Sequence, residues 1–154
     1  MTVVAGLGVE VDVPPGWEAA IFRRDPHGEA TTHAVVHLGN FPLPPDRGDF
    51  GSGAVDVMTH DDVLLVLLEY SPDSAGTVLF AEAGPPASVE PADFSTSTLQ
   101  RSIPGHAGIQ RFFTAAGRPF CFYAVLGAAS RADVLVPAVN DGLGRISIGP
   151  WGGG

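Results

Sequence analysis

One stretch of the sequence concentrates basic side chains that could bind an anion. Between Asp93 and Asp133 there is no acidic residue. The basic residues in and beside this stretch that we take as candidate ligand-binding residues are Arg101, His106, Arg111 and Arg118. A guanidinium group can hold a carboxylate or a phosphate through two parallel hydrogen bonds. The pattern therefore predicts an anion site, or alternatively ion pairs with the protein's own Asp and Glu residues.

A second group of residues has the types that bind metal ions, and its members are His27, Glu29, His33 and His37. On a helix, His33 and His37 would share one face and could share one ion. The alternation around them instead predicts a strand, on which four residues span about 13 Å. We therefore expect two solvent-facing histidines on an edge or half-exposed strand, and no metal site. A loop residue such as His27 or His60 folding over one of them is the alternative.

His60, Asp61 and Asp62 could act as a base with its orienting carboxylate, or as metal ligands. Residues that adjoin in sequence seldom converge on one point, and the G-x-S-x-G pattern of a serine nucleophile is absent from the sequence. We therefore interpret these residues as the hydrated entrance to the apolar run Val63 to Leu68.

The remaining reactive patterns do not predict catalysis or cofactor binding. Cys121 lies between Phe120 and Phe122, where a thiol is buried, protonated and inert. The glycines of "GDFGSG" have the wrong spacing for a dinucleotide fingerprint, and the sequence contains no lysine for a phosphate-binding loop. We predict no catalytic residue and no cofactor.

Composition and charge exclude further classes of function. The chain has 154 residues and a net charge of −9, which opposes binding to nucleic acid and to anionic membranes. A single cysteine permits no internal disulfide. The first residues lack the basic start of a signal peptide, and no apolar run is long enough for a membrane span. We expect a cytoplasmic protein.

The elements that must position these residues are mostly strands. Residues 9–23 predict a β-hairpin with a type II turn at "PPGW", and residues 108–127 predict a second hairpin whose second strand is central. Residues 31–39 predict a strand, residues 63–68 a strand covered on both faces, and residues 77–81 a short strand. A short helix is predicted after Ser95.

The C-terminal part supplies one amphipathic helix, because apolar residues recur at helical spacing. These residues are Ala132, Leu135, Val136, Val139 and Leu143. Ile146 and Ile148 predict a closing strand. The fold class is therefore α+β: one antiparallel sheet of about six strands with the C-terminal helix packed on one face. We expect one domain over residues 1–150 and a glycine-rich tail over 151–154.

Several blocks of the sequence carry a resemblance to known proteins. These are "VDVPPGW", "DDVLLVLLEY", "AGTVLF", "LQRSIPGHAGIQRFFTAAGRPFCFYAVLG" and "LVPAVNDGL". Over most of the chain they resemble a family of actinobacterial proteins of unknown function. The order of elements also resembles the PsbP-like fold, whose members are mostly accessory or binding proteins. This resemblance implies a binding role and carries over no catalytic residue.

Two functions follow as hypotheses. The first is a non-enzymatic module that binds a protein partner, its own copy included, through a sheet edge or its Pro/Gly-rich loops. The alternative is a domain that binds a small ligand or anion, or a weak hydrolase, with the patch Arg101, Arg111 and Arg118.

Overall fold

The computed structural model describes residues 2–23, 33–46, 48–100 and 102–150. Its strands are β1 (Thr2–Gly6), β2 (Val9–Val13), β3 (Glu18–Arg23), β4 (Ala34–Gly39), β5 (Val63–Glu69), β6 (Ala107–Ala115), β7 (Arg118–Leu126) and β8 (Ile146–Ile148). Its α-helices are the single turn α1 (Ser52–Val55) and α2 (Ala132–Leu143). The predicted α+β class is confirmed, but the strands form two antiparallel sheets instead of one.

The larger sheet has five strands in the order β3-β4-β5-β7-β6. The predicted hairpin in residues 108–127 is confirmed as β6 and β7, with Ala115 paired to Arg118. The two residues between them, Ala116 and Gly117, both have positive φ, at 53° and 73°. Such a turn matches the right-handed twist of the flanking strands.

Strand β5 is buried along its whole length, as the sequence predicts. Its odd-numbered residues Leu65 and Leu67 belong to the core that lies under α2. Leu64 and Val66 belong to a second core on the opposite face. Loop segments and α1 cover that second core, so both faces of the sheet are shielded from water.

The smaller sheet corrects the hairpin predicted for residues 9–23. Strand β2 pairs with β1 and β8, while β3 joins the larger sheet. The predicted turn is present, since Trp17 N–H donates to the carbonyl of Pro14 at 3.1 Å and Gly16 has φ 83°. A type II turn splays the strands that it joins, so β2 and β3 separate into different sheets.

Helix α2 packs on β5 and β7, which confirms the predicted position of the helix on one face of the sheet. Four of its predicted apolar positions, Leu135, Val136, Val139 and Leu143, are buried. Gly142 allows a close approach, because a Cβ there would lie 3.2 Å from a methyl carbon of Leu65. Ile146 and Ile148 form the predicted closing strand, β8.

Two predicted elements are wrong. Residues 78–80 form a 3₁₀ turn, Val78–Phe80, and not a strand, because Phe80 anchors the segment by packing against Tyr70 and Phe112.

Ser95 does not begin the predicted helix. Its backbone instead exchanges two hydrogen bonds with Gly108 on β6, so long-range hydrogen bonds replace the local hydrogen bonds that a helix needs. The tail residues 151–154 lie outside the described ranges.

Candidate functional site

Arg118, a predicted ligand-binding residue, is buried and paired within the protein. Its Nε donates to Oε2 of Glu69 at 2.9 Å and its Nη2 donates to Oε1 of the same carboxylate at 2.9 Å. Its Nη1 donates to the carbonyl of Gly149 at 2.9 Å. Arg118 is 2% exposed and Glu69 is 1% exposed. This bidentate pair therefore serves the fold and presents no cation to a ligand.

Arg111, another member of the predicted anion patch, lies away from Arg118 on the neighbouring strand. Arg111 lies four residues from Ala115, the partner of Arg118, which is about 13 Å along the strand. His106 is 8% exposed, and neither ring nitrogen has a hydrogen-bond partner among the described residues. Arg101 lies outside the described residues. Of the three patch residues within the described ranges, Arg111 alone has an accessible guanidinium at the surface.

The histidines of the predicted metal group have different environments. His37 is fully buried on β4, an interior strand, and its Nε2 lies 2.7 Å from the carbonyl oxygen of Asp49. The interpretation of His37 as solvent-facing is therefore wrong, because β4 lies between β3 and β5 and a loop covers its face. His27 and Glu29 lie outside the described residues. Within the described ranges no group of three or more His, Cys, Asp or Glu residues could hold a metal ion.

His60, Asp61 and Asp62 form an exposed turn before β5. Asp62 Oδ2 accepts from the Thr59 N–H at 2.8 Å, which closes the turn. Asp61 forms an ion pair with Arg131 at 3.0 Å and lies 3.5 Å from His60 Nε2. These contacts agree with the interpretation of a hydrated strand entrance.

Cys121 is buried within β7, as its apolar neighbours predict. The side-chain amide of Gln110 lies 3.4 Å from its sulfur. The thiol is therefore packed in the core and is not placed as a nucleophile.

The outer edge of β6 has a feature that the sequence did not reveal. At one end, Gly108 exchanges two backbone hydrogen bonds with Ser95, both at 2.9 Å. At the other end, Thr114 N–H donates to Glu82 and the Thr114 carbonyl accepts from Gly84, at 2.9 and 2.8 Å. The chain therefore adds strand-like segments of its own to both ends of this edge.

The middle of the same edge is open. The register between β6 and β7 is continuous, so residues two apart point their backbone groups the same way. The backbone N–H and C=O groups of Gln110 and Phe112 consequently point away from β7, like those of Gly108 and Thr114. Among the described residues, one hydrogen bond reaches these groups: Arg111 Nη1 donates to the Gln110 carbonyl at 3.0 Å. Two N–H groups and one carbonyl thus lack a partner within the part of the chain that the structure describes.

A groove of about 520 Å³ lies against the part of this open edge formed by Arg111, Phe112 and Phe113. Its lining residues are Glu82, Ala83, Gly84, Pro85, Pro86, Ala87, Arg111, Phe112 and Phe113. Two adjacent prolines stiffen one wall, because their rings fix φ. On the other face of the sheet, Phe112 packs edge-to-face on Phe80, with ring centroids 5.4 Å apart. We call this region, the outer edge of residues 109–113 with the segment 82–87, the β6 edge groove.

Apolar side chains are exposed beside the β6 edge groove. The turn Val78–Phe80 packs against β6 through Phe80, and it leaves Val78 97% and Leu79 58% exposed.

The charge at the groove is set by Arg111. Its side chain is 47% exposed, and its Nη2 lies 3.5 Å from Asp93, which is 38% exposed. Exposed ion pairs of this length contribute little to stability, so the guanidinium is available to a closer partner. The sequence signal for the site is the polar pair Gln110–Arg111 between the apolar residues Ile109 and Phe112.

None of the helices in the described ranges combines the length and the hydropathy that a membrane span requires. No protein-family model, no curated protein and no solved structure matches the chain.

Proposed function

We propose that this protein is a non-enzymatic interaction module that binds an extended segment of a partner protein as an added strand on β6. The observation that supports this proposal is the gap in pairing along the outer edge of β6. Gln110 and Phe112 direct backbone groups outward, between two positions that the chain itself pairs. Strand addition to an exposed sheet edge is a general mode of peptide recognition.

The backbone groups suit a short contact of modest affinity. Three outward groups have no partner in the described ranges, and a net gain of about 0.5–1.5 kcal/mol for each hydrogen bond gives a few kcal/mol in total. The groove walls add buried area beyond the backbone. We therefore expect a transient interaction with a dissociation constant in the micromolar range or weaker, on the order of 10⁻⁶ to 10⁻⁴ M.

The anion-binding alternative has less support from the geometry. Arg118 is engaged by Glu69, and Arg111 stands about 13 Å from it along the strand. Because Glu69 and the Gly149 carbonyl hold the Arg118 guanidinium inside the protein, a small anion bound at Arg111 could not also bind Arg118. The β6 edge groove, by contrast, brings backbone donors, a backbone acceptor and one cation to the same place.

The class of partner follows from charge and from the form of the groove. A net charge of −9 opposes nucleic acid and anionic lipid, so we propose a protein partner. We propose a cytoplasmic location together with it, on the sequence grounds given above.

Proline at position 110 tests the proposal. The Gln110 N–H points away from β7, so Gln110→Pro removes an outward donor and leaves the ladder to β7 intact. Gln110→Thr is the matched control, because it keeps the N–H in a residue that favours strands. The probe is a displayed library of random nine-residue peptides, selected on the wild-type protein.

We expect selected peptides to bind Gln110→Thr like the wild type and to bind Gln110→Pro at least about tenfold more weakly, a change of about 1.4 kcal/mol. Circular dichroism and thermal melting of both variants are the controls that test whether the fold is retained. Peptides that bind Gln110→Pro and wild type equally would show that the β6 edge is not the binding surface.

A further inference from the structure

The open length of the β6 edge restricts how a second copy of this chain could pair with it. Gly108 and Thr114 already use their outward backbone groups within the chain, so only Gln110 and Phe112 can accept a new strand. In an antiparallel pair related by a two-fold axis, Gln110 of one copy must then face Phe112 of the other. If the register between the two copies shifted by two residues in either direction, Gly108 or Thr114 would have to bond to the second copy. The backbone groups of both residues are already bonded to the chain's own Ser95, Glu82 and Gly84.

This one open register places Arg111 directly opposite Arg111 of the second copy. The backbone groups of Arg111 point toward β7, so the two arginines form a non-hydrogen-bonded pair, with Cα atoms about 4.5 Å apart. Like charges directly opposite each other destabilise an antiparallel pair. Charged side chains on edge strands are one way in which proteins prevent edge-to-edge association.

The same position favours a carboxylate from a different strand. A partner residue opposite Arg111 lies within reach of its guanidinium. Among the described residues, that guanidinium contacts Asp93 at 3.5 Å and the Gln110 carbonyl at 3.0 Å. An aspartate or glutamate there can accept two parallel hydrogen bonds. The residues on either side of that acid point to the opposite face, toward Gln110 and Phe112. A β-branched or aromatic residue opposite Phe112 would pack well there.

We infer that Arg111 excludes a second copy of this chain from the β6 edge and selects a partner strand with an acidic residue opposite Arg111 and an apolar residue opposite Phe112. The selection of an acidic strand rests on the proposed function. The exclusion of a second copy does not, because it concerns the chain alone.

Sedimentation of the wild-type protein up to millimolar concentration tests the exclusion. We expect the wild-type protein to form no dimer that the Gln110→Pro substitution would disrupt. A wild-type dimer that is lost in Gln110→Pro and kept in Gln110→Thr would overturn the exclusion of a second copy.

Peptide selection tests the choice of partner. The same random nine-residue library is selected in parallel on wild type, Arg111→Gln and Arg111→Glu, with Arg23→Gln on the exposed end of β3 as the control. We expect an acidic residue to be enriched at one position with wild type and Arg23→Gln, to lose its enrichment with Arg111→Gln, and to be replaced by a basic residue with Arg111→Glu. For one selected peptide, changing the acid to serine should weaken binding to wild type about threefold to fivefold.

The outcomes separate the two proposals. Peptides that Gln110→Pro no longer binds, but that show no acidic position or no change with Arg111→Glu, would overturn the role of Arg111 and leave strand addition standing. Peptides that bind independently of position 110, or a library that gives no binder, would overturn both.

Discussion

Arg118 and Glu69 form a buried bidentate ion pair that ties together neighbouring strands β7 and β5, with both N···O distances at 2.9 Å. Oε1 of Glu69 also accepts the backbone N–H of Ala34 at 3.0 Å, which brings in β4. The third link, from Arg118 to the Gly149 carbonyl, connects the larger sheet to the end of β8. The guanidinium also lies over the Phe120 ring, 5.1 Å from its centroid.

Removal of one partner from this pair should be costly. We expect Arg118→Met to lower the free energy of unfolding by about 3–5 kcal/mol, because the Glu69 carboxylate would remain buried without its counter-ion. Urea denaturation measures the change. The double variant Arg118→Met with Glu69→Leu should recover a large part of the loss.

The control for this prediction is the exposed pair between Arg145 and Asp141, at 3.1 Å. Asp141→Asn should cost less than about 1 kcal/mol, because water screens that pair. A cost for Arg118→Met no larger than that for Asp141→Asn would contradict a buried pair.

Gly8 is required by the position of Arg118. It has φ 77°, and a Cβ there would lie 2.5 Å from Arg118 Nη1 and 2.9 Å from the Pro150 carbonyl oxygen. Gly16 has a similar φ of 83°, with nothing within 4 Å of its Cβ position. Both alanine variants carry the left-handed backbone strain of about 1–2 kcal/mol, so their difference reports the close contacts at Gly8 with Arg118 and the Pro150 carbonyl.

We therefore expect Gly8→Ala to be less stable than Gly16→Ala by more than about 1 kcal/mol in denaturant unfolding, in the range of overpacked sites. Equal stabilities of the two variants would show that Arg118 does not occupy the space beside Gly8.

Burial raises the pKa of the Tyr123 hydroxyl above its usual value of 10.0, while the hydrogen bond from the Gln100 N–H opposes this shift. In the unfolded chain Tyr123 loses its proton first, so above pH 10 the unfolded state binds fewer protons than the folded state. Stability should therefore fall as the pH rises from 10 through the folded pKa.

Ultraviolet titration of the folded protein measures this effect. The protein has two tyrosines, and Tyr70 is the second. We expect the Tyr123→Phe variant to lack the later of two ionisation steps, and its stability to fall less steeply above pH 10. A wild-type titration with both tyrosines ionising at the ordinary value would contradict the burial of Tyr123.

Proline at two adjacent positions of β6 reports which backbone groups point outward. Arg111→Pro removes an N–H that points toward β7, so the carbonyl that accepted it is left unpaired inside the sheet. Gln110→Pro removes an outward backbone N–H and the side-chain contact with Cys121, and it leaves the backbone bonds to β7 in place. We expect thermal or urea unfolding to show Arg111→Pro less stable than Gln110→Pro by about 1–3 kcal/mol. The reverse order would mean that the pairing of β6 is shifted by one residue.

Elements with a strong local pattern could be predicted from the sequence. The β6–β7 hairpin, strand β5 and helix α2 each carry their signal within their own residues, as turn glycines, an apolar run or helical spacing. The alternation Val9–Val13 also predicted β2, but not its partners. Those come from β1 and from β8, more than 130 residues later in the chain, and the local turn could not indicate them.

The candidate site could be predicted only in part. Arg111 was identified as a surface cation, but the boundaries of the β6 edge groove are set by Ser95 and Glu82, which lie in segments without a regular period. Arg118 was identified for the same chemistry as Arg111. Its counter-ion Glu69 is 49 residues away in the chain, so only the folded sheet shows that Arg118 is bound in an internal ion pair. The histidine His37 was misplaced because its covering loop has no pattern that predicts burial.

Amide hydrogen exchange at β6, resolved for each residue by NMR, tests strand addition most directly. In the free protein we predict fast exchange at Gln110 and Phe112 and slow exchange at Gly108 and Thr114, because only the latter two donate to the chain's own segments. A selected peptide that binds the wild-type protein should slow exchange at Gln110 and Phe112 and leave Gly108 and Thr114 unchanged. The proposal would be contradicted if Gln110 and Phe112 exchanged as slowly as Gly108 without peptide, or stayed fast with the peptide bound.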